Sequence, residues 1–193
     1  MVINNTIIEN MSSIGILAQG ANISAYNTIV KKCGQYSLAC NIGGNYNFTH
    51  CTFANYWNYN NRNTPALLLN NYYEGADGNL YFRDLESANF TNCIIDGSLS
   101  TEISFQSQES ALFNYNFNHC IIKITPNTDT NNINYLNTLI NLDVKFNDTY
   151  NNDLHLTEGS PAINTGDPAT NGSIDIEGNT RNNADIGAYE FIE

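Results

Sequence analysis

Positive charge is scarce in this sequence: seven lysines and arginines stand against 19 aspartates and glutamates among 193 residues, a formal net charge of −12. That balance repels phosphate backbones and anionic lipid surfaces, so nucleic acid is not an expected partner. Long apolar runs are missing too. No stretch approaches the roughly 20 residues of a membrane-spanning helix, and the opening "MVINNTIIEN" has neither the basic region nor the apolar core of a signal peptide. No segment repeats apolar residues at a 3.6-residue spacing over three turns, which excludes a helical body. The five cysteines, Cys33, Cys40, Cys51, Cys93 and Cys120, are odd in number and contain no CxxC pair or zinc-ligand spacing. Buried, reduced thiols are expected from them rather than a disulfide framework or a metal site.

Asparagine takes the place of charge, with 35 residues, several times ordinary usage. Its side chain bonds its own backbone and tolerates left-handed dihedrals, so this abundance signals turns. A length of 193 residues fits one domain with a substantial core.

Internal similarity gives the organisation. "NTII" from Asn5, "NTIV" from Asn27, "HCTF" from His50, "NCII" from Asn92 and "HCII" from His119 share one template: Asn or His, then Thr or Cys, then two mostly apolar residues. Early echoes are followed by a second apolar run, "IGILA" from Ile14, "YSLAC" from Tyr36 and "ALLL" from Ala66. Short β-branched and apolar runs divided by Asn and Gly are strands and turns. A period of roughly 20 to 25 residues with one long insertion predicts a solenoid of stacked parallel strands. Thr6, Thr28, Cys51, Cys93 and Cys120 should then form one internal column, for which near-isosteric Thr and Cys side chains are suited.

"NNTIIENMSSIGIL" and "ISAYNTIVKKCGQYSL" resemble the right-handed parallel β-helix repeats of bacterial surface and carbohydrate-active proteins. "LHLTEGSPAINTGDP" and "DIEGNTRNNADIGAYEF" resemble the C-terminal segment of proteins with a choice-of-anchor module, common in Bacteroidetes-like secreted proteins. The resemblance implies an all-β, right-handed parallel β-helix of an extracellular or cell-surface protein. Because Ile7 and Ile8 already belong to the repeat, the chain reads as the C-terminal piece of something longer. Residues 1–150 are expected to form the coils, with insertions near 54–63 and 70–84, and residues 151–193 a capping segment.

In that segment Leu154, Leu156, Ala162 and Ile163 can cover the open core, and Pro161 and Pro168 stop further strand pairing. Arg181, between Asp175 and Asp185, can fork onto a carboxylate and neighbouring carbonyls, with Gly166, Gly178 and Gly187 permitting the turns. Asp175, Arg181 and Asp185 are therefore read as a structural cap and not as a catalytic cluster.

The two insertions are rich in aromatic rings. Tyr56, Trp57, Tyr59, Tyr72 and Tyr73, flanked by Asn, are the candidates for carbohydrate contact, since ring faces and amides suit sugar C–H groups and vicinal hydroxyls. Loop packing and a partner-protein surface are the alternatives. A lyase of this fold resembles its kin in using a Lys and an Arg on neighbouring coils, and Lys31, Lys32, Arg62 and Arg83 lie in the right zone, without a matching motif. "NTDTNN" from Asn127 and "NDTYNND" from Asn147 offer Asp129, Asp148 and Asp153 as oxygen ligands for calcium, but lack the glycine and terminal glutamate of a calcium loop. His50, His119 and His155 have no nucleophile motif beside them. The leading expectation is a monomeric, non-catalytic, cofactor-free module contacting carbohydrate, with a lyase or glycosidase fragment and a structural or adhesion stalk as alternatives. If the aromatic candidates fail, the strand face near Lys31 and Lys123 is the next place to look.

Overall fold

The computed structural model describes residues 1–192. The chain is almost wholly β. Its first strands are β1 (Val2–Met11), β2 (Ile16–Cys33), β3 (Leu38–Thr49), β4 (Thr52–Asn55) and β5 (Leu67–Asn70). After the hairpin of β6 (Tyr72–Glu74) and β7 (Leu80–Phe82) come β8 (Leu85–Thr91), β9 (Ile94–Gly97) and β10 (Ile103–Gln106). Short strands follow: β11 (Asn116–Asn118), β12 (Ile121–Ile122), β13 (Tyr135–Leu136), β14 (Leu139–Ile140), β15 (Phe146–Asp148) and β16 (Asp153–Leu156). The only helix among the described residues is a 3-10 turn at Pro168–Thr170.

Twelve strands form one parallel, strongly curled sheet. Its pairings fall on three ladders. One joins residues 16–19 of β2, 38–41 of β3, β5 and β10. A second joins the start of β1, residues 21–26 of β2, 44–49 of β3, β8, β11 and β13. The third joins the end of β1, the end of β2, β4, β9, β12 and β14. Three ladders of parallel strands curl the sheet around one interior.

The register is what the repeat predicts. Thr6 pairs with Thr28, and the pairings Ile29–Thr52, Thr52–Ile94 and Ile94–Ile121 carry the same column on through Cys51, Cys93 and Cys120. Thr28 and the three cysteines are fully buried. The pairing Ile121–Leu139 adds a sixth rung beyond the five echoes, with Thr138 in the column and "NTLI" from Asn137 as its sequence.

The residue before each column member explains the Asn-or-His template. Asn5, Asn27, His50, Asn92, His119 and Asn137 all have left-handed backbones, with φ of 48°, 47°, 50°, 52°, 49° and 50°. They form the bend between the second and third ladders. A left-handed L-residue is strained by about 1–2 kcal/mol, least for asparagine, whose short side chain bonds locally. Here the bonds run from rung to rung: Asn27 Nδ2 donates to Asn5 Oδ1 (3.1 Å), Asn92 Nδ2 to His50 Nε2 (3.0 Å) and Asn137 Nδ2 to His119 Nε2 (3.2 Å).

Two residues before the bend, inward-pointing rings stack up the second ladder, Phe48 on Phe90 (5.0 Å), Phe90 on Phe117 (4.9 Å) and Phe117 on Tyr135 (5.8 Å). Ile8, Val30, Phe53, Ile95, Ile122 and Ile140 point inward from the third ladder into the same core.

The C-terminal segment packs elsewhere than across the open core. Leu154, Ala188 and Tyr189 lie on Ile29 and Ala54, while Leu156, Ala162 and Ile186 lie on Ile94 and Ile121. Those are outward residues of the third ladder, so the segment forms a belt along the outside of the sheet. Its bonds reach the bend residues: Asn27 Nδ2 donates to the Ile174 carbonyl (2.8 Å), and the Asp167 amide to Asn92 Oδ1 (2.7 Å). The physical reason is the residue after each Thr or Cys, apolar on every rung except that of Cys51, which points out of the sheet and needs cover.

All five cysteines are free and buried, and desolvation holds the Cys40 and Cys93 thiols well above their ordinary pKa. Iodoacetamide should label none of them in native protein, and all five in denaturant without reductant. A missing pair of labels, reporting a disulfide, would break the column.

Candidate functional site

The five aromatic candidates do not come together; they occupy three places. Tyr72 and Tyr73 belong to the β6–β7 hairpin, where Tyr73 stacks on Tyr81 at 5.1 Å across the strand pair. Trp57 and Tyr59 meet edge to face at 4.8 Å in the loop after β4, with Trp57 Nε1 donating to Asn60 Oδ1 (2.7 Å) and Lys32 Nζ 4.7 Å from the Tyr59 ring centre. Trp57 and Tyr59 therefore close on their own loop and its neighbouring corner, although Tyr59 stays exposed.

Tyr56 faces a groove. It turns back over the outer face of the third ladder, where its hydroxyl donates to Asp96 Oδ2 (2.6 Å) and its ring meets Phe146 of β15 edge to face. Burial, then the Asp96 carboxylate, pushes the phenol up, so it remains a hydrogen-bond donor. The groove encloses about 290 Å³ and is lined by Tyr56, Asp96, Gly97, Lys123, Asn141 and Asp143 among others. Lys123 Nζ donates to the Gly97 carbonyl (2.7 Å) and lies 3.6 Å from Asp96 Oδ1.

These groups converge because they follow the apolar pair on successive rungs. Ala54 pairs with Asp96, and the Ile95–Ile122 pairing sets Lys123 beside Asp96. The same position on the first two rungs holds Glu9 and Lys31, which form an ion pair at 3.3 Å. Lys123 is placed on this face by the sequence, but Asp96 and Asp143 beside it are not, since their meeting depends on register between residues 20 to 47 positions apart.

The four basic candidates for a lyase are each engaged elsewhere. Arg62 is buried and forks onto Glu102 (2.6 and 2.8 Å), with further bonds to the Asn55 carbonyl (2.7 Å) and Ser98 Oγ (3.1 Å). It anchors the aromatic loop to the next rung. Lys31 holds Glu9 and donates to the Asn152 carbonyl (2.7 Å), Lys32 lies over Tyr59, and the Arg83 guanidinium lies against Gly20.

Asp129 and Asp148 accept from Asn131 and Asn151 amides in local turns, and Asp153 accepts from Asn147 Nδ2. Among the described residues no group of three or more His, Cys, Asp or Glu side chains is placed to hold a metal ion. Among the described residues no helix is long and apolar enough to cross a membrane. His50 and His119 are bend residues. Burial and then the Arg181 charge lower the His50 pKa to about 3, so the ring is neutral. Accepting from Asn92 at Nε2 leaves its Nδ1–H facing the Gly187 carbonyl (3.2 Å).

Arg181 is fully buried in the belt. It donates to Glu190 Oε2 (3.0 Å) and to the Gly187 and Ala188 carbonyls (3.1 and 3.0 Å), so its carboxylate partner is Glu190. Asp175 accepts instead from the amides of Glu177, Asn179 and Glu190, and Asp185 from those of Asn164 and Phe191. Asp185 and Glu190 both border one open concavity of about 260 Å³, but Glu190 is held by Arg181 and Asp185 by two backbone amides, and these bonds close the belt's turns.

No protein-family model matches the chain, and neither a search of curated proteins nor one of solved structures found a match.

His155 clasps the belt. Its Nδ1 lies 2.5 Å from Asp153 Oδ1 and its Nε2 3.2 Å from Glu177 Oε1, with the ring stacked on Tyr189 at 3.9 Å. Burial lowers its pKa, but the bonds and charges of the two carboxylates outweigh this, and the net shift is upward. A raised folded pKa stabilises fully below the ordinary imidazole value and ceases to do so as pH rises through the folded value. The unfolding midpoint should therefore fall across that window, and His155→Gln should flatten the fall. An unchanged pH profile in the variant would mean that the clasp contributes nothing.

Proposed function

We propose that the curled sheet is a right-handed parallel β-helix from an extracellular or cell-surface protein, with residues 151–193 as its structural belt, and that it contacts neutral carbohydrate without catalysing a reaction. Parallel strands stacked in three ladders at intervals of 22 to 27 residues, apart from one long insertion and a shorter last turn, support the winding. Crossovers between parallel strands are right-handed in about 98% of cases, which supports its hand.

One observation carries the carbohydrate reading: the Tyr56 groove joins a ring, a carboxylate pair, an amide and an ammonium within a space of about 290 Å³. A carboxylate and an amide accept and donate to vicinal hydroxyls, while the phenol ring covers the apolar face of a sugar. The net charge of −12 favours neutral over acidic glycans. The lyase reading has less support, since Arg62 and Lys31 are already paired with Glu102 and Glu9.

Titration calorimetry against a panel of neutral oligosaccharides should give dissociation constants between about 10 µM and 1 mM, the range left by one stacked ring and a few hydrogen bonds. Tyr56→Ala and Asp96→Asn should each weaken binding about tenfold or more. Binding untouched by both would remove the groove from the account, and formation of unsaturated uronate from polyuronates would favour the lyase.

A further inference from the structure

The outward face of the second ladder is a regular array of uncharged polar side chains. Ser24, Asn47, Asn89 and Asn116 occupy one column, each in register with the next. Beside it run Asn22, Asn45 and Ser87. Thr49 and Thr91 stand on the other side, two residues further along their strands. The repeat behind them is "NFTH" from Asn47, "NFTN" from Asn89 and "NFNH" from Asn116, whose phenylalanines form the inner stack. Alternation along the strand puts rings inside and amides and hydroxyls outside.

Three features separate this face from an ordinary polar surface. These columns contain no charged side chain, in a chain with 19 acidic residues, and the nearest on the same strands is Glu86, the extra residue beside Ser87 at the register shift of β8. Asn22, Ser24, Asn45, Asn47 and Asn89 are exposed, and no belt residue crosses them. Stacked amides can saturate one another along a ladder. Here only part of the array is tied down, by Ser87 Oγ donating to Asn45 Oδ1 and Asn116 Nδ2 to the Ile133 carbonyl, whereas the Asn47 and Asn89 side chains have no protein partner among the described residues. A concavity of about 320 Å³ lies at one end of the array, lined by Asn22, Ser24, Asn45 and Asn47 together with Ile23 and with Met1, whose terminal ammonium donates to the Asn22 carbonyl (2.7 Å).

We infer that this face binds an extended, uncharged polysaccharide, laid across the rungs with its hydroxyls on the Asn and Ser columns. Each amide offers one donor edge and one acceptor, which matches a pair of neighbouring hydroxyls. Rungs about 4.8 Å apart repeat those groups at the scale of a single sugar ring, so a polymer meets the same contact on each rung. Weak contacts repeated along one chain add through effective concentration, which suits an insoluble or polymeric ligand over a free sugar. The absence of charge selects a neutral polymer over a uronate or sulfated one. This surface lies on another ladder than the Tyr56 groove, and the inference does not require that groove to bind.

The test is co-sedimentation of the full chain with microcrystalline cellulose, chitin and insoluble β-1,3-glucan. Depletion from the supernatant by at least one of them is expected. Asn47→Asp together with Asn89→Asp exchanges two amide donors for charged acceptors on exposed sites and should lower the retained fraction about fivefold or more at an unchanged melting temperature. Leu17→Ser, on the exposed outer side of the first ladder, should leave retention within about twofold, since it touches neither the array nor the groove. No depletion by any of the three polymers would overturn the inference, as would full retention of the double variant. Loss of retention in Tyr56→Ala alone would assign the contact to the groove and overturn it equally.

Discussion

The left-handed bend between the second and third ladders is the constraint on which the rest depends. Each rung must pass through positive φ at the same place, at Asn5, Asn27, His50, Asn92, His119 and Asn137, for the next residue to enter the shared column. Left-handed backbone in an L-residue is strained, and repetition multiplies the strain six times unless each bend residue recovers it. Amide and imidazole side chains do so by bonding the neighbouring rung or the belt. Glycine would remove the strain but would also remove those bonds and add chain entropy to the unfolded state. The same residues dock the C-terminal belt through Ile174, Asp167 and Gly187, so one row of side chains both shapes the sheet and seats its cover.

The belt in turn shapes the candidate site. Phe146, on the strand paired with the belt's β16, sets the Tyr56 ring, and Asn141 and Asp143, which lead into that strand, form one wall of the groove. The buried Arg181, bound to Glu190 and to backbone carbonyls, keeps the turns around Gly187 and Ala188 in the conformation that meets His50 and Thr52. Removing one partner from a buried, multiply bonded charge is among the larger single-residue disruptions a small domain meets. The arrangement leaves two kinds of outer surface: a groove edged by charge where belt and third ladder meet, and a flat, uncharged array on the second ladder.

Much of this was legible in the residues. The five echoes placed Thr6, Thr28, Cys51, Cys93 and Cys120 in one column, because side chains in register must suit the same narrow interior. The sixth rung escaped notice because it follows after only 18 residues, shorter than the other turns, and has Leu139 where most others carry a β-branched residue. The belt's position was also written in the echoes, in the paired apolar residues of "NTII", "NCII" and "HCII". A strand with one solvated face alternates, while two consecutive apolar residues on all but one rung signal cover on both faces. What could not be read was the groove, since Tyr56, Asp96, Lys123 and Asp143 meet only through long-range register, and the dispersal of the five aromatic candidates, which neighbouring sequence positions had suggested were together.

The bend is tested most directly at Asn92, whose φ is 52° and whose side chain bonds His50, Thr170 and the Asp167 amide. Urea melts of Asn92→Ala and Asn92→Gly separate its two roles, because both substitutions delete the bonds and only alanine keeps the left-handed strain. The account predicts a large loss in both variants, on the order of 2 to 4 kcal/mol, with alanine worse than glycine by about 1 kcal/mol. Equal losses, or a glycine variant less stable than the alanine one, would contradict the claim that left-handed strain at the bend is what asparagine is there to relieve.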